Sequence, residues 1–476
     1  MKKQSRLSIR FGFAFCGLVA GGLPLVVAAA PAPNILLIMA DQWRAQAFGY
    51  AGDPNVKTPH LDRLERASVN FTQAVSGMPV CTPARASLQT GQRPLTHGLF
   101  LNDVPLNPKA VTLAKVLATA GYDTGCIGKW HIDGQGRSAF IPRERRQGFD
   151  YWKVLECTHA YNRSPYFADG AEKLQWEGYD AIAQTRDAQR YLEDPARSRK
   201  PFYLFLSWGP PHNPYETAPA KYQAMYSPEK IQLRGNVPAE RQAVARKELA
   251  GYYAHCTALD DCVGDLLATL KKTGQLERTI VVFSSDHGDM LWSQGEQRKQ
   301  RPFEEAARVP LLFHLPPSLG IDPRRVAGTI NIEDWMPTLL GLAGKKIPAS
   351  VEGLDFSGYL HGGADPSGGA TLLTCVSPFG EWQRDRGGRE YRALRTARYT
   401  YVRDLNGPWL LFDHDTDPEE HTNLAGRPEQ AALLARLDAQ LRARLAATKD
   451  EFRPGADYIA RWGYTVDAKG TVSYKN

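Results

Sequence analysis

The feature that most constrains the fold is a series of short, continuous apolar runs that recur between longer helical patterns. The first run, residues 34–40, is too short for a typical helix and ends at Asp41, which is typical of a strand buried on both faces of a parallel sheet. Because such runs alternate with helices, they predict an α/β sheet that is covered on both faces. The further runs are 122–127, 202–208, 279–285 and 309–314.

The helical patterns and the C-terminal segments complete this prediction. The clearest helix is expected over 247–271, where apolar residues recur every three or four positions. A Gly and Pro-rich stretch, 361–369, is typical of a linker or long turn. Beyond it we expect a smaller α+β domain over 366–476, after a larger domain over 31–365. Its predicted elements are short antiparallel strands at 371–376, 391–396, 399–404 and 409–413, and a helix at 429–445.

The first thirty residues have the organisation of an export signal. A basic head with four Lys or Arg residues precedes an apolar stretch, 11–27, and three alanines at 28–30 suit signal peptidase. A membrane anchor is the alternative, but Pro24 and several glycines weaken a stable spanning helix. We therefore predict a signal peptide over 1–30, a periplasmic or secreted mature protein, and no stable membrane span after cleavage.

Charge and cysteine usage exclude two other classes of protein. The export segment carries four Lys or Arg residues and no acid, so its removal lowers the formal net charge from +7 to +3. The remaining cations are interspersed with acids, which does not indicate nucleic-acid binding. The seven cysteines give no disulfide framework. Cys256 and Cys262 would lie about 9 Å apart along one helix, beyond bridging distance.

Polar residues follow several of the predicted strands directly. Ligands gather beyond the carboxyl ends of strands in such sheets, so these positions are candidates for chemistry. Asp41 with Gln42, and Asp286 with His287, offer ligands to a hard cation. Helix capping or turn formation is the alternative for an acid at a strand end. Lys129 and His212 occupy comparable positions.

The segment 81–91 is the most specific motif in the chain. It combines Cys81, Pro83 and Arg85 with a Thr-Gly pair at 90–91, and here the sequence resembles the formylglycine-dependent type I sulfatases of the alkaline phosphatase superfamily. Pro83 suits a first helical turn, and Arg85 would return one turn later beside residue 81. A structural cysteine is the alternative. Further family motifs occur in order at 128–131, 211–214, 285–288, 299–305 and 411–424.

The resemblance implies a fold and a metal site. It implies an alkaline-phosphatase-like sandwich with a large mixed, mostly parallel sheet, plus a smaller C-terminal α+β domain with a short antiparallel sheet. It also implies that a maturation enzyme oxidises Cys81 to formylglycine and that one calcium ion is bound. Gln42 stands where many relatives have Asp, so we expect weaker ion binding than in the two-Asp form. The implied ligands are Asp41, Gln42, the residue made from Cys81, Asp286 and His287.

The resemblance also implies catalytic roles. Calcium, Arg85, Lys129 and Lys299 would surround the sulfuryl oxygens with positive charge. The aldehyde hydrate at position 81 would attack sulfur, assisted by a base such as Asp286. His212, or Lys299 beside it, would protonate the departing alcohol, and His131 would deprotonate the second hydroxyl so that sulfate leaves. The implied catalytic set is Cys81, Arg85, Lys129, His131, His212 and Lys299.

The insertion 156–179 bears on the substrate. It mixes aromatic and polar side chains that suit contact with a sugar, although they could equally pack inside the protein. We therefore expect a sulfate monoester, and the composition favours a carbohydrate ester over choline sulfate or a steroid ester. The side chains in question are His159, Tyr161, Asn162, Arg163, Trp176 and Glu177.

Other functions compete with sulfate ester hydrolysis. A phosphonate monoester or phosphodiester hydrolase can share the scaffold and the motif around Cys81. A two-zinc phosphatase is disfavoured, because it would need more Asp and His ligands and usually a Ser or Thr nucleophile. A non-catalytic carbohydrate-binding protein is disfavoured because Cys81, Arg85, Lys129 and His131 are all present.

Overall fold

A large sheet organises the chain in the computed structural model, which describes residues 32–474 together with residues 1, 4, 7–10 and 12. The predicted signal peptide, 1–30, falls mostly outside these described residues, so its prediction stands untested. Within the described part of the chain, no helix combines the length and apolar character needed to cross a membrane.

The large sheet has eight strands and is mostly parallel. Its strands are β1 (Asn34–Asp41), β2 (Val69–Val75), β3 (Asp123–Lys129), β4 (Tyr151–Leu155), β7 (Phe202–Pro211), β8 (Thr279–Ser285), β9 (Leu311–His314) and β10 (Arg324–Asn331). The order across the sheet is β10, β2, β9, β8, β1, β7, β3, β4. Only β9 runs antiparallel to its neighbours β2 and β8. The predicted mixed, mostly parallel sheet is therefore confirmed.

Strand β1 shows why the apolar runs are continuous. It lies between β7 and β8, where Leu36 pairs with Leu204 and Val281. Alternate residues of β1 enter different cores, with Ile35 in one and Leu36 in the other. Both faces of the strand are buried, so no position in the run favours a polar side chain.

Helices cover the two faces of this sheet. Residues of α1 (Pro59–Arg66), α5 (Asp180–Glu193) and α7 (Gln242–Lys272) enter the core with Leu36, whereas those of α2 (Cys81–Thr90), α4 (Leu113–Thr119) and α9 (Trp335–Leu342) enter the core with Ile35. The predicted helix over 247–271 is confirmed, and the observed helix, α7, is longer at both ends. The short helices are α3 (Pro94–His97), α6 (Ala220–Gln223), α8 (Glu304–Ala307) and α10 (Ser357–Leu360).

A second, antiparallel sheet follows in the C-terminal part. Its order is β11 (Ala370–Cys375), β12 (Tyr391–Thr396), β13 (Tyr399–Asp404) and β14 (Gly407–Asp413), close to the predicted bounds. Helix α11 (Ala431–Ala447) packs on one face, and the other face meets side chains of β2 and α8. The domain boundary expected between residues 365 and 366 remains a prediction. The remaining elements are the strand pair β5 (Pro165–Tyr166) and β6 (Leu174–Gln175), and α12 (Gly455–Trp462).

Cysteine geometry agrees with the sequence. The described cysteines, which include Cys256 and Cys262 on α7, are all free and buried. The prediction that these two form no disulfide is confirmed.

A candidate active site at the carboxyl edge of the large sheet

Cys81 lies at the floor of a cavity of about 370 Å³. It is the first residue of α2, so its side chain sits at the positive end of a helix dipole. The Sγ atom is 3.1 Å from Lys299 Nζ and 3.2 Å from His287 Nε2. The side chain is only 1% exposed, so a group at this position reacts out of bulk water.

Four neighbouring parallel strands bring the other predicted residues to Cys81. Asp41 ends β1 and Lys129 ends β3, while His212 follows β7 and Asp286 follows β8. Because β8, β1, β7 and β3 are consecutive and parallel, their carboxyl ends lie along one edge of the sheet. The predicted site residues therefore assemble from distant parts of the sequence.

Arg85 connects two acidic side chains beneath Cys81. It donates to Oδ2 of Asp286 at 2.9–3.0 Å and to Oδ2 of Asp41 at 3.2 Å. Its remaining terminal nitrogen donates to Ser207 Oγ at 2.7 Å and to the Lys129 carbonyl at 3.2 Å. These hydrogen bonds and ion pairs suit Arg85 to positioning the two carboxylates. That Arg85 also faces the sulfuryl oxygens remains a prediction.

The Oδ1 atoms of Asp41 and Asp286 accept no hydrogen bond from Arg85 in the described structure, and both lie beside His287. Asp41 Oδ1 lies 3.7 Å from Cys81 Sγ and 3.6 Å from His287 Nε2. Asp286 Oδ1 lies 3.7 Å from the same imidazole nitrogen and accepts the backbone N–H groups of Gln42 and His287. Asp41, Cys81, Asp286 and His287 each offer one atom within a cluster no wider than 4.8 Å. These four atoms could together hold a metal ion.

The donor set fits a divalent cation. His287 Nδ1 is 2.8 Å from the Gly288 carbonyl, so an Nδ1–H tautomer leaves Nε2 free to bind a metal. Gln42 donates Nε2–H to Asp289 at 2.7 Å, and its buried Oε1 has no hydrogen-bond partner in the described residues. An amide oxygen is an acceptable ligand for calcium. Cys81 Sγ is the fourth possible ligand atom of this cluster.

Positive charge surrounds the entrance to this cluster. Lys129 donates to Asp41, and together with other nearby cations it holds the pKa of that carboxyl well below its ordinary value, although burial alone would raise it. Lys299 Nζ is 3.0 Å from His212 Nε2. His212 Nδ1 in turn lies 2.9 Å from the Asn213 carbonyl. An Nδ1–H tautomer therefore makes His212 an acceptor for Lys299, and both side chains line the cavity.

His131 lines the same cavity and has a left-handed backbone conformation, with φ of 62°. Its Nε2 is 3.5 Å from Asp103 Oδ1. Asp103 receives two hydrogen bonds of 2.8 Å from Arg137. Burial would lower the pKa of His131, but the nearby Cys157 thiolate and Asp103 raise it to about 10. Asp103 thus positions the imidazole that the sequence singled out.

Sequence reasoning missed Asp103 and Cys157 as site residues. Asp103 is a single acid in a loop with φ of 63°, and no motif marks it. Cys157 follows β4 closely and lines the cavity, so the strand-end argument would have found it had β4 been predicted. Burial would raise the pKa of Cys157, but Lys129 and His131 lower it to about 5.

The insertion 156–179 contributes less to the cavity than its composition indicates. His159 lines the cavity and stacks on His212, with ring centroids 4.8 Å apart. Tyr161 is buried in the core, and Trp176 stacks on Tyr166. Asn162 donates to the Thr217 carbonyl, and neither Arg163 nor Glu177 lines the cavity in the described structure. Packing is therefore the correct interpretation for the two large aromatic side chains.

Comparisons with known proteins agree with this geometry. A family model described as Sulfatase matches residues 33–345, and one described as N-sulphoglucosamine sulphohydrolase, C-terminal, matches residues 295–447. The chain is 46% identical over 441 residues to an ulvan-active sulfatase from Formosa agariphila, covering 91% of this chain and 84% of the relative. It is 29% identical to an endo-4-O-sulfatase from Bacteroides thetaiotaomicron, covering 82% and 88% of the two chains.

A solved structure shows the same fold. The putative sulfatase yidJ from Bacteroides fragilis superimposes with a TM-score of 0.80 at 32% identity, covering 90% of this chain and 98% of the other. The alkaline-phosphatase-like architecture predicted from the sequence is thereby confirmed. The chain belongs to the sulfatase family of the alkaline phosphatase superfamily, and it is a sulfatase.

Proposed function

We propose that this sulfatase hydrolyses sulfate monoesters of a sulfated carbohydrate, using a formylglycine made from Cys81 and one calcium ion. The observation that carries the proposal is the placement of Cys81. It lies at a helix N-terminus, at the floor of a cavity, between a metal-ligand cluster and the lysines Lys129 and Lys299.

Calcium would be held by Asp41, Asp286 and His287 together with oxygen atoms of the modified residue 81. Gln42 would add its buried, unpartnered amide oxygen. Bound there, the ion would draw negative charge from the sulfuryl oxygens. Arg85 keeps the two carboxylates in position by holding their Oδ2 atoms.

Oxidation of Cys81 by a maturation enzyme would supply an aldehyde hydrate, with one hydroxyl to attack sulfur and a second to allow sulfate to be expelled. Lys129 and Lys299 place positive charge beside that position, and both side chains are buried. Because Lys299 and His212 form one hydrogen-bonded pair in the cavity wall, a proton can pass through them to the departing alcohol oxygen.

His131 is the candidate for the complementary proton transfer. Neither ring nitrogen makes a hydrogen bond in the described structure, although Nε2 is 3.5 Å from Asp103 Oδ1. Only a neutral imidazole can accept a proton from the residue at position 81, and the negative charges of Cys157 and Asp103 favour the charged form by raising the pKa to about 10. The transfer therefore requires that His131 first lose its own proton.

A carbohydrate substrate is supported by the relatives and by the cavity. Two relatives are named as an ulvan-active sulfatase and an endo-4-O-sulfatase. The cavity is lined mainly by charged and hydrogen-bonding side chains, which suits a hydroxyl-rich ligand better than a steroid. Export by the signal peptide 1–30 would place the enzyme in the periplasm or outside the cell, where polysaccharides occur.

The test is mass spectrometry of the peptide containing Cys81, after expression with a formylglycine-generating enzyme, joined to assays on sulfate, phosphate and phosphonate esters. We expect the aldehyde or its hydrate, turnover of sulfate monoesters, and no turnover by Cys81→Ala. Unmodified cysteine in fully active protein would refute the mechanism. Activity confined to phosphodiesters or phosphonates would support the rival hydrolase instead.

A further inference from the structure

The C-terminal segment after α12 forms a hairpin that the sequence did not predict. Residues 466 and 472 pair as an isolated antiparallel bridge. The Asp467 carboxylate accepts the backbone N–H groups of Lys469 at 2.8 Å and Thr471 at 2.9 Å. Gly470 completes the turn with φ of 72°, a conformation that favours glycine. These contacts hold the hairpin, residues 464–474, in a defined conformation.

The hairpin is attached to the rim of the catalytic cavity at several points. The Lys469 carbonyl accepts the Gly380 N–H at 2.9 Å, and Tyr464 Oη donates to the Gly98 carbonyl at 2.9 Å. At its far end, the Arg137 guanidinium lies 3.6 Å from the centroid of the Tyr474 ring. The hairpin thus contacts Arg137, which holds Asp103 beside the proposed catalytic residue His131.

Two cations at this rim have no partner among the described residues. Lys469 of the hairpin and Arg386 both line the cavity that has Cys81 at its floor, and both are exposed. In the described residues neither side chain has an ion pair within 4.0 Å or a side-chain hydrogen bond. Among the other cations of the cavity, Arg137 is paired with Asp103 and Lys129 with Asp41, while Lys299 contacts Cys81 and His212. The acid Glu381 lines the same cavity and lies 4.0 Å from Arg298.

Unpaired cations at a cavity rim attract anions, and the ester sulfate cannot serve all of them. The reacting sulfate must lie at Cys81, where Lys129 and Lys299 are already present. Lys469 and Arg386 belong to the outer wall and are free to contact a different part of the ligand. Water and salt screen the electrostatic field of these exposed side chains without removing it, so the strength of the contact should depend on salt concentration.

We propose that Lys469 and Arg386 form an anion subsite, so that the preferred substrate is a sulfated saccharide carrying a second acidic group beside the ester that is cleaved. The inference rests on the proposed function and adds a substrate class to it. A sugar carboxylate and a second sulfate share the required chemistry. The hairpin 464–474 then acts as a specificity element, with Lys469 contributed to the subsite.

The first experiment compares three substrates with the mature, full-length enzyme. They are one sulfated saccharide without another charge, the same saccharide with a carboxylate, and the same saccharide with a second sulfate. We expect kcat/KM to be higher for an acidic substrate, mainly through KM. Each of Lys469→Gln and Arg386→Gln should reduce the acidic-over-neutral ratio by up to about fivefold, and more at low ionic strength.

Lys271→Gln is the matched control, since Lys271 is exposed at the end of α7 and lines no part of this cavity. Its ratio should equal that of the wild type. The two acidic substrates then show whether a carboxylate or a sulfate is preferred. Equal kcat/KM for neutral and acidic substrates, or ratios unchanged in both Lys469→Gln and Arg386→Gln, would overturn the subsite.

A binding experiment separates this inference from the proposed reaction. Calorimetry with Cys81→Ala measures affinity for the same three saccharides without turnover. Tighter binding of an acidic saccharide that weakens in the double variant Lys469→Gln/Arg386→Gln supports the subsite even if no sulfate ester is hydrolysed, in which case only the proposed function fails. Indifference to the acidic group in this assay overturns the subsite while leaving hydrolysis unaffected.

Discussion

Replacing Arg85 by Met tests how the site is held together. The side chain is 1% exposed, and its guanidinium is the shared partner of Asp41 and Asp286. Met has a similar shape and removes only the charge and the five N–H donors. Arg85→Met should therefore leave two buried carboxylates without their common cation, although Lys129 still contacts Asp41.

The expected magnitude follows from burial. Removing one partner of a buried ion pair costs about 3–5 kcal/mol, because the remaining charge has neither water nor a counterion. Asp286 is the more affected carboxylate, since burial raises its pKa even with Arg85 present. A divalent cation bound at the two Oδ1 atoms would restore positive charge beside both carboxylates. The loss of stability should therefore be smaller with calcium than with a chelator.

The assay is unfolding of the wild type and Arg85→Met, each in excess calcium and in a chelator. Arg143→Met is the control, because Arg143 and its partner Asp150 are both largely exposed and such pairs contribute little. We expect a large loss for Arg85→Met in the chelator and a smaller loss in calcium. Equal losses in both conditions, or stability like that of the control, would refute this reasoning about the cluster.

Further predictions concern pH, reactivity and positioning. Burial raises the pKa of Asp180 from 3.8 to about 7, so the folded state binds this proton more tightly than the unfolded chain. The free energy of unfolding of the wild type should therefore fall by up to about 4 kcal/mol between pH 4 and 7, whereas that of Asp180→Asn should not. Melting temperatures measured across this pH range test the prediction, and parallel curves for the two proteins would contradict it. Cys157, with its pKa lowered to about 5, should react with iodoacetamide before the buried core cysteines do. Peptide mass spectrometry can determine the order in which the cysteines are labelled, and uniform labelling would contradict the prediction. Asp103→Ala should lower kcat by at least about tenfold with little change in KM, because Asp103 positions His131. Asp103→Asn should retain part of the kcat that Asp103→Ala loses. An unchanged kcat in Asp103→Ala would exclude a positioning role for Asp103.

Much of the fold follows from the apolar runs. The run 34–40 can only be satisfied where both faces of a strand are covered, and β1 does lie at the middle of the sheet. The same logic located Asp41 and Asp286, because the carboxyl ends of adjacent parallel strands share an edge. β2, β4 and β10 were missed, since their sequences mix polar residues into the strand and carry no continuous apolar signal.

The candidate site was partly predictable for a different reason. Motif order identified residues that must meet, but it does not reveal which atoms they present to one another. The motif placed Arg85 beside residue 81, but it did not show that its donors contact Asp41, Asp286 and Ser207. Asp103 depends on a left-handed backbone position, and no local sequence pattern encodes its distance from His131. Tertiary packing decides both cases.

The cations of the cavity divide into two groups with different physical effects. Lys129 and Lys299 are buried beside Cys81, so their fields act on the reacting group with little screening and should determine kcat. Lys469 and Arg386 are exposed at the rim, where salt and water weaken them, so they should act on encounter and on substrate choice. Increasing salt concentration should therefore raise KM for acidic saccharides while kcat changes little. A parallel decline of kcat would show that the rim and the floor of the cavity are not electrostatically separate.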